Sequence, residues 1–401
     1  MGVSTEESLS FQQRLLKKDR SRFNKYIQST TIHGVVYIFI GKSKIRRLFW
    51  LIIVLAAAIG CLFNVSNRII FLANGPTSTR VSVVEEDSIN FPAVTLCNLN
   101  LIRKSYLESM SPGLAKLVRN IFYSQGDDWL CKNAIEQFEL ESNPVIVNES
   151  FPDLLWRGRH TAEETIISCR FKGQECSWRD FVPVLTPSGV CYTFNRGKQA
   201  PIMKTNGTGI RFALSLIVSI QQHEYNAALN QDAGIKISIH PQNEPPQPDE
   251  LGIAIPPGKN AFIGLKQRNT LIKNSKRKCR DGSATSSFNF LHGEFLYSVS
   301  ACQSDCLRSN IANRCGCLGS GTEGTSFMYT PPKSQFHNFK NCTLENICCQ
   351  IVEVYQHDAC DCPVACSRTQ YTTGISYSEF PAKYAASDLA ENISLLVNNF
   401  A

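Results

Sequence analysis

The stretch SINFPAVTLCNLN, Ser88 to Asn100, is apolar through its centre and contains a cysteine. It follows closely on a second apolar run, LFWLIIVLAAAIGCLF, Leu48 to Phe63. The two runs differ in kind. The earlier one continues to Ile69 and is mostly apolar over about 20 residues, the length that crosses a hydrocarbon core of about 30 Å. The later one is short, rich in β-branched residues and opened by Pro92, where a strand tolerates a missing N–H. The chain therefore reads as a membrane helix followed by a strand that enters a folded domain.

Charge supports this reading. Residues 1–47 hold ten Lys and Arg against three Asp and Glu, which equals the +7 of the whole 401-residue chain, and the remainder balances at 31 against 31. A basic excess at one end points to an anionic surface, and the apolar run makes that surface a membrane and not nucleic acid. Lys42, Lys44, Arg46 and Arg47 precede the run directly. The positive-inside rule then keeps residues 1–47 in the cytoplasm, makes 48–69 the membrane helix and puts 70–401 outside. A buried core helix is the competing reading; a cleaved signal peptide fits poorly after nearly fifty polar residues. Of 17 cysteines, Cys61 lies in the apolar run and 16 follow it. An even number on one side suits an oxidising compartment and a disulfide framework. Sequons at Asn148, Asn206, Asn341 and Asn392 lie on that same side, whereas the one at Asn64 is too near the bilayer to be an acceptor.

Strand patterns occur in TRVSVVEED (79–87), GVCYTFN (189–195), IRFALSLIVSI (210–220) and GIKISIH (234–240), and helical spacing in SPGLAKLVRNIFY (111–123). Prolines at 241, 245, 246, 248, 256 and 257 exclude long helices there. Residues 279–366 hold eleven cysteines. The fold class is α+β, mostly β, with a cysteine-clamped subdomain. Cys315-x-Cys317 and Cys360-x-Cys362 have metal-ligand spacing, but without paired C-x-x-C motifs they read as disulfides. GKS at 41–43 is no phosphate loop, because Val36 stands where the first glycine belongs. With no Asp-x-Asp, H-E-x-x-H or G-x-S-x-G, no enzyme is expected, and no cofactor or metal.

FPAVTLCNLN resembles the segment that follows the first membrane helix in the degenerin, epithelial sodium channel and acid-sensing ion channel family. STTIHGVVYIF, GVCYTFN, AGIKISIHPQNEPP, YSVSACQSDC and CDCPVACSRTQY resemble further family motifs in the family's order, from residue 31 to about 381. The resemblance implies a trimeric, amiloride-sensitive, sodium-selective channel of the plasma membrane. Its partners are sodium ions, identical or different channel subunits and the bilayer. Each subunit crosses the membrane twice and carries palm, finger, knuckle, thumb and β-ball outside. His33 and Gly34 match the His-Gly pair associated with gating. The matches imply bridges Cys97–Cys191, Cys169–Cys176, Cys279–Cys366, Cys302–Cys362, Cys306–Cys360, Cys317–Cys342 and Cys315 with Cys348 or Cys349. Cys131 and the remaining one of that pair either bond or stay free.

The resemblance stops short of the family's last palm strand, second membrane helix, Gly-x-Ser filter and cytoplasmic tail. The expectation is that these 401 residues alone conduct nothing. They read as an incomplete channel subunit, or alternatively as a non-conducting type II glycoprotein that regulates full-length subunits. A proton stimulus is not singled out: no histidine falls between Cys61 and His160, and thumb acids are limited to Glu323, Glu345, Glu353 and Asp358. Arg277 replaces an aromatic of acid-sensing members. Glu224, Asp232, Asp249 and Glu250 offer an acidic cluster instead.

Overall fold

The computed structural model describes residues 22–385 except 24, 32–33, 41–42, 76–77, 111, 124–126, 142–149, 198–199, 227–231, 274–278, 283–287, 292–294, 319–337 and 357–359. The chain divides into two compact units, 1–82 and 83–401.

In the first unit a short helix α1, Val35–Ile40, precedes α2, Lys44–Ala73. The 30 residues of α2 contain no proline, span about 45 Å at 1.5 Å per residue, and are long and apolar enough to cross a membrane. None of its residues is buried, as expected of a helix whose solvent is lipid.

The second unit is built on β2, Ala93–Asn98, whose six residues are all buried. It lies in a five-stranded sheet of order β10-β9-β2-β6-β5, with β5 Phe181–Thr186, β6 Gly189–Phe194, β9 Ile235–His240 and β10 Ile253–Ile255. All its pairings are antiparallel. A strand buried on both faces reads as a continuous apolar run, which is why FPAVTLCN shows little alternation. Cys97 stands opposite Cys191 across β2 and β6 and is bonded to it; Thr95 stands opposite Thr193, their hydroxyls 2.8 Å apart. A smaller sheet of order β4-β3-β8 (Gln174–Cys176, Ile166–Phe171, Leu214–Val218) places Cys169 opposite Cys176, also bonded. A long ribbon pairs β11, Lys259–Leu271, with β12, Ser367–Glu379, over thirteen residue pairs.

Residues 79–87 depart from the expected strand. Among the described residues no partner strand flanks them, and Val81 and Val83 are 79% and 90% exposed; the nearby β1, Ile89–Asn90, pairs with β7, Lys204–Thr205. β-Branched residues favour a pleated, half-buried surface, and without a neighbour their preference has nothing to act on.

Helices α3 (Lys104–Met110), α4 (Pro112–Tyr123), α5 (Asp128–Glu141) and α6 (Phe151–Arg157) pack into the same core as β2 through Leu107, Leu117, Val118, Ile121, Ile135 and Leu154. The cysteine-rich subdomain contains α9, Val299–Cys315, begun by Ser298 capping Ala301 N and ended by Gly316 at φ 67°. Beside it lies α10, Ile347–Gln356. Short helices α7, Ala162–Thr165, and α8, Pro248–Leu251, complete the numbering. Asp305 of α9 accepts from the backbone N–H groups of Asn289, Phe290 and Leu291, pinning that loop to the helix.

Bonds join Cys279 to Cys366, Cys302 to Cys362, Cys306 to Cys360 and Cys317 to Cys342. Of the alternatives the sequence leaves open, the structure joins Cys315 to Cys349 and Cys131 to Cys348. The last bridge ties α5 to α10 across 217 residues. Replacing both Cys131 and Cys348 by serine should lower unfolding free energy by about 2–4 kcal/mol, read from the denaturant midpoint of the detergent-solubilised chain. An unchanged midpoint would show that the bridge carries no stability.

Candidate gating and ion-path site

The N-terminal turn is built around a glycine. Gly34 is buried with φ +94°, a conformation L side chains rarely adopt. A Cβ there would stand 3.0 Å from Val54 Cγ2 and 3.3 Å from Trp50 Cε3. Arg47, Trp50 and Val54 share one face of α2 by their spacing, and α1 packs along it. Tyr37 stacks on Trp50 with ring centroids 4.8 Å apart, Arg47 Nη2 donates to Phe39 O at 3.0 Å, and Phe39 meets Phe23 edge to face. Gly34 is thus the point where the chain comes close enough to α2 for this packing to begin. His33 lies outside the described residues, as do Asn148, Asn392, Arg277, Glu323 and Asp358. Tyr37, Trp50 and Val54 were not singled out from sequence, although an aromatic at the start of an apolar helix is a usable signal.

In the folded domain the polar groups converge on β2. His240 Nδ1 lies 2.9 Å from Pro241 O and so carries the hydrogen. Its Nε2 then accepts from Thr95 Oγ1 at 2.8 Å, and Thr95 in turn accepts from Thr193. Burial lowers His240 to about 4. A histidine therefore does lie against the first strand of this sheet, but it comes from β9. His160 is buried as well, its Nδ1 2.5 Å from Gln221 Oε1 and its Nε2 2.9 Å from Asn100 Nδ2. Burial moves it below the ordinary histidine value, against the opposing bond from Gln221.

Two of the carboxylates expected to cluster, Glu224 and Asp249, have separate partners. Glu224 accepts from Ser105 N and Oγ, both at 2.9 Å, at the start of α3. Burial alone would raise it, but the Ser105 bonds hold it below the usual carboxylate range. Asp249 pairs with Lys236 at 3.0 Å and accepts from Ser188. In the cysteine-rich subdomain Glu353 pairs with Arg314 at 2.9 Å. The outlier is Glu244, which burial pushes up to about 7. Among the described residues no set of three metal-ligating side chains gathers. Asn206 is exposed and Asn341 partly so.

His240 and Glu244 pull stability in opposite directions with pH. A histidine lowered from 6.5 to about 4 contributes stability that is present above 6.5 and lost as pH falls towards 4. A carboxyl raised from 4.5 to about 7 contributes stability that is present below 4.5 and lost as pH rises through 7. Between pH 4.5 and 6.5 the two slopes cancel. Glu244→Gln should therefore unmask a stability that rises by about 1.4 kcal/mol per pH unit over that range, and His240→Gln one that falls by as much. Parallel pH profiles for both variants would contradict this assignment.

Comparison with known proteins bears on what this arrangement serves. A family model described as amiloride-sensitive sodium channel matches residues 26–400. Acid-sensing ion channel 1C of Danio rerio is 27% identical over 93% of this chain and 72% of its own length. Acid-sensing ion channel 2 of Homo sapiens is 29% identical over 92% of this chain and 73% of its own. The bile acid-sensitive ion channel of Mus musculus is 27% identical over 94% and 75%.

Proposed function

Since this chain belongs to the amiloride-sensitive sodium channel family, as a cation-channel subunit, we propose that it serves sodium-selective, amiloride-sensitive transport across the plasma membrane. It does so as one subunit of a homo- or heterotrimer. The observation that carries this reading is the unbroken match from the turn at Gly34, through α2, to the disulfide-bonded domain. In this reading residues 1–47 are cytoplasmic, 48–69 cross the bilayer and 70–401 lie outside, with the thumb at about 279–366. The cations Lys44, Arg46 and Arg47 at the start of α2 support that orientation. So does the bonding of every described cysteine except Cys61, since disulfides persist outside the cytosol.

His33 and Gly34 act in gating, and Gly34 does so by setting how closely the N-terminal turn seats on Trp50 and Val54. Selectivity comes from a ring of oxygens replacing part of the ion's hydration shell, a feature of the assembled subunits. The test is whole-cell sodium current, with and without amiloride, from this chain alone and beside a full-length relative, with surface labelling as control. The expected result is an altered amiloride-sensitive current when the chain co-assembles with the relative. Gly34→Ser should reduce that alteration at equal surface expression, because the left-handed backbone and the new Cβ contact cost about 1–2 kcal/mol. Suppression of the relative with no conducting contribution would instead favour a regulatory partner, and no effect on the relative would defeat both readings.

A further inference from the structure

The β11–β12 ribbon has two unlike faces. Residues directly opposite in an antiparallel pair share a face, as do alternate residues along each strand. One face therefore carries Ala261, Ile263, Leu265, Tyr371, Ile375 and Tyr377. The other carries, on successive rungs, Lys266 with Thr372, Arg268 with Gln370 and Thr270 with Arg368. All of these except the partly buried Thr270 are exposed, and no apolar side chain interrupts the three rungs. Neighbouring cations stand about 7 Å apart, along β11 from Lys266 to Arg268 and diagonally across the pair from Arg268 to Arg368.

These cations lack the counter-charges that other exposed cations of the fold have. Lys104, Lys132 and Arg170 pair with Glu108, Asp128 and Glu175. The ribbon's own acid, Glu379, is on the opposite face and pairs with Lys259. Among the described residues no carboxylate pairs with Lys266, Arg268 or Arg368. The sequence keeps acids away as well: Gly252 to Arg280 holds eight Lys and Arg and no Asp or Glu, although residues 48–401 balance at 31 against 31. Charge in the folded domain is thus segregated and not in excess. Like charges held this close on one sheet face destabilise it, and a bound polyanion relieves that repulsion.

We propose that this ribbon face binds a sulfated polysaccharide of the cell exterior. The disulfide framework puts the domain outside the cytosol, away from nucleic acid. The anionic lipids of a membrane are concentrated on its cytoplasmic leaflet, so lipid headgroups fit less well. A protein partner would need an apolar or aromatic anchor, which these three rungs do not offer. A compact anion would need a concave pocket, whereas a flat ribbon suits an extended polymer. The guanidinium forks of Arg268 and Arg368 match paired oxyanion oxygens, and Lys266 adds a point charge. Thr270, Gln370 and Thr372 supply hydrogen-bonding groups between them for sugar hydroxyls. The run KNSKRKCR, Lys273 to Arg280, has the composition of a polysaccharide-binding segment and follows β11 directly in sequence, while the site itself rests on the ribbon.

The experiment is lysine footprinting of the detergent-solubilised full chain with acetic anhydride, read by mass spectrometry, with and without heparin as the sulfated polysaccharide. Acetylation of Lys266 should slow about fivefold at saturating heparin, while that of Lys104 and Lys132 changes by less than about twofold. De-sulfated heparin should leave Lys266 unprotected. Arg268→Gln combined with Arg368→Gln should return Lys266 to its heparin-free rate, with Lys266 itself still present as the reporter. No protection of Lys266, equal slowing of all three lysines, or equal protection by poly-glutamate overturns the proposal. The native chain alone decides the matter should the double variant fail to fold. The partner's class rests on the outside placement of this domain, but the footprint does not: absent sodium current leaves the binding standing, and absent protection removes it whatever the current.

Discussion

The folded domain depends on β2 being buried on both faces while its backbone groups still find partners. Six consecutive buried residues leave N–H and C=O groups with no access to water, and β6 and β9 supply what they need. The other features hang from that pairing. Cys97 and Cys191 lock β2 to β6, and Thr95 orients His240 at the end of β9. At the end of the strand and just past it, Asn98 and Asn100 reach Ile220, Ile102, His160 and Tyr225, which hold the helices and the segment after β8. A one-residue slip of β2 would turn all of these side chains to the wrong face.

The same burial decides the electrostatics. Two histidines and a glutamate lie where charge is costly, and all three shift towards their neutral forms. His240 and Glu244 are close in sequence and opposite in type, yet the His240 ring bonds Thr95 and Pro241 and not the Glu244 carboxyl. At pH 5.5 the folded protein keeps the proton on the acid, where the unfolded chain would hold it on the histidine. Glu224, which accepts two hydrogen bonds from Ser105, is held below the usual carboxylate range instead. Partnering, not residue type, therefore separates the titrating acids from the structural ones.

Much of the framework was legible in the sequence because it rests on short-range signals. The apolar length of α2, the buried run of β2 and the alternation of β9 each follow from local pattern. The family resemblance supplied the cysteine matches that spacing alone leaves open. What escaped were contacts set by register or rotation. The meeting of His240 with Thr95 depends on how β9 slides against β2, 145 residues away. Cys348 and Cys349 are adjacent in sequence but about 100° apart around α10, so one faces α5 and the other α9. The valines of 81–84 read as a strand and pair with nothing described, because propensity cannot supply a neighbour. The positive φ of Gly34 left no trace beyond the glycine itself.

Membrane orientation is the claim on which the disulfide framework and the channel reading both depend. The most direct measurement is endoglycosidase digestion of the full chain from cells, combined with thiol labelling without reductant. Loss of mass on digestion, reduced by Asn206→Gln, with labelling confined to Cys61, is the predicted result. An unglycosylated chain whose remaining sixteen cysteines all react would put the folded domain in the cytosol and contradict the account.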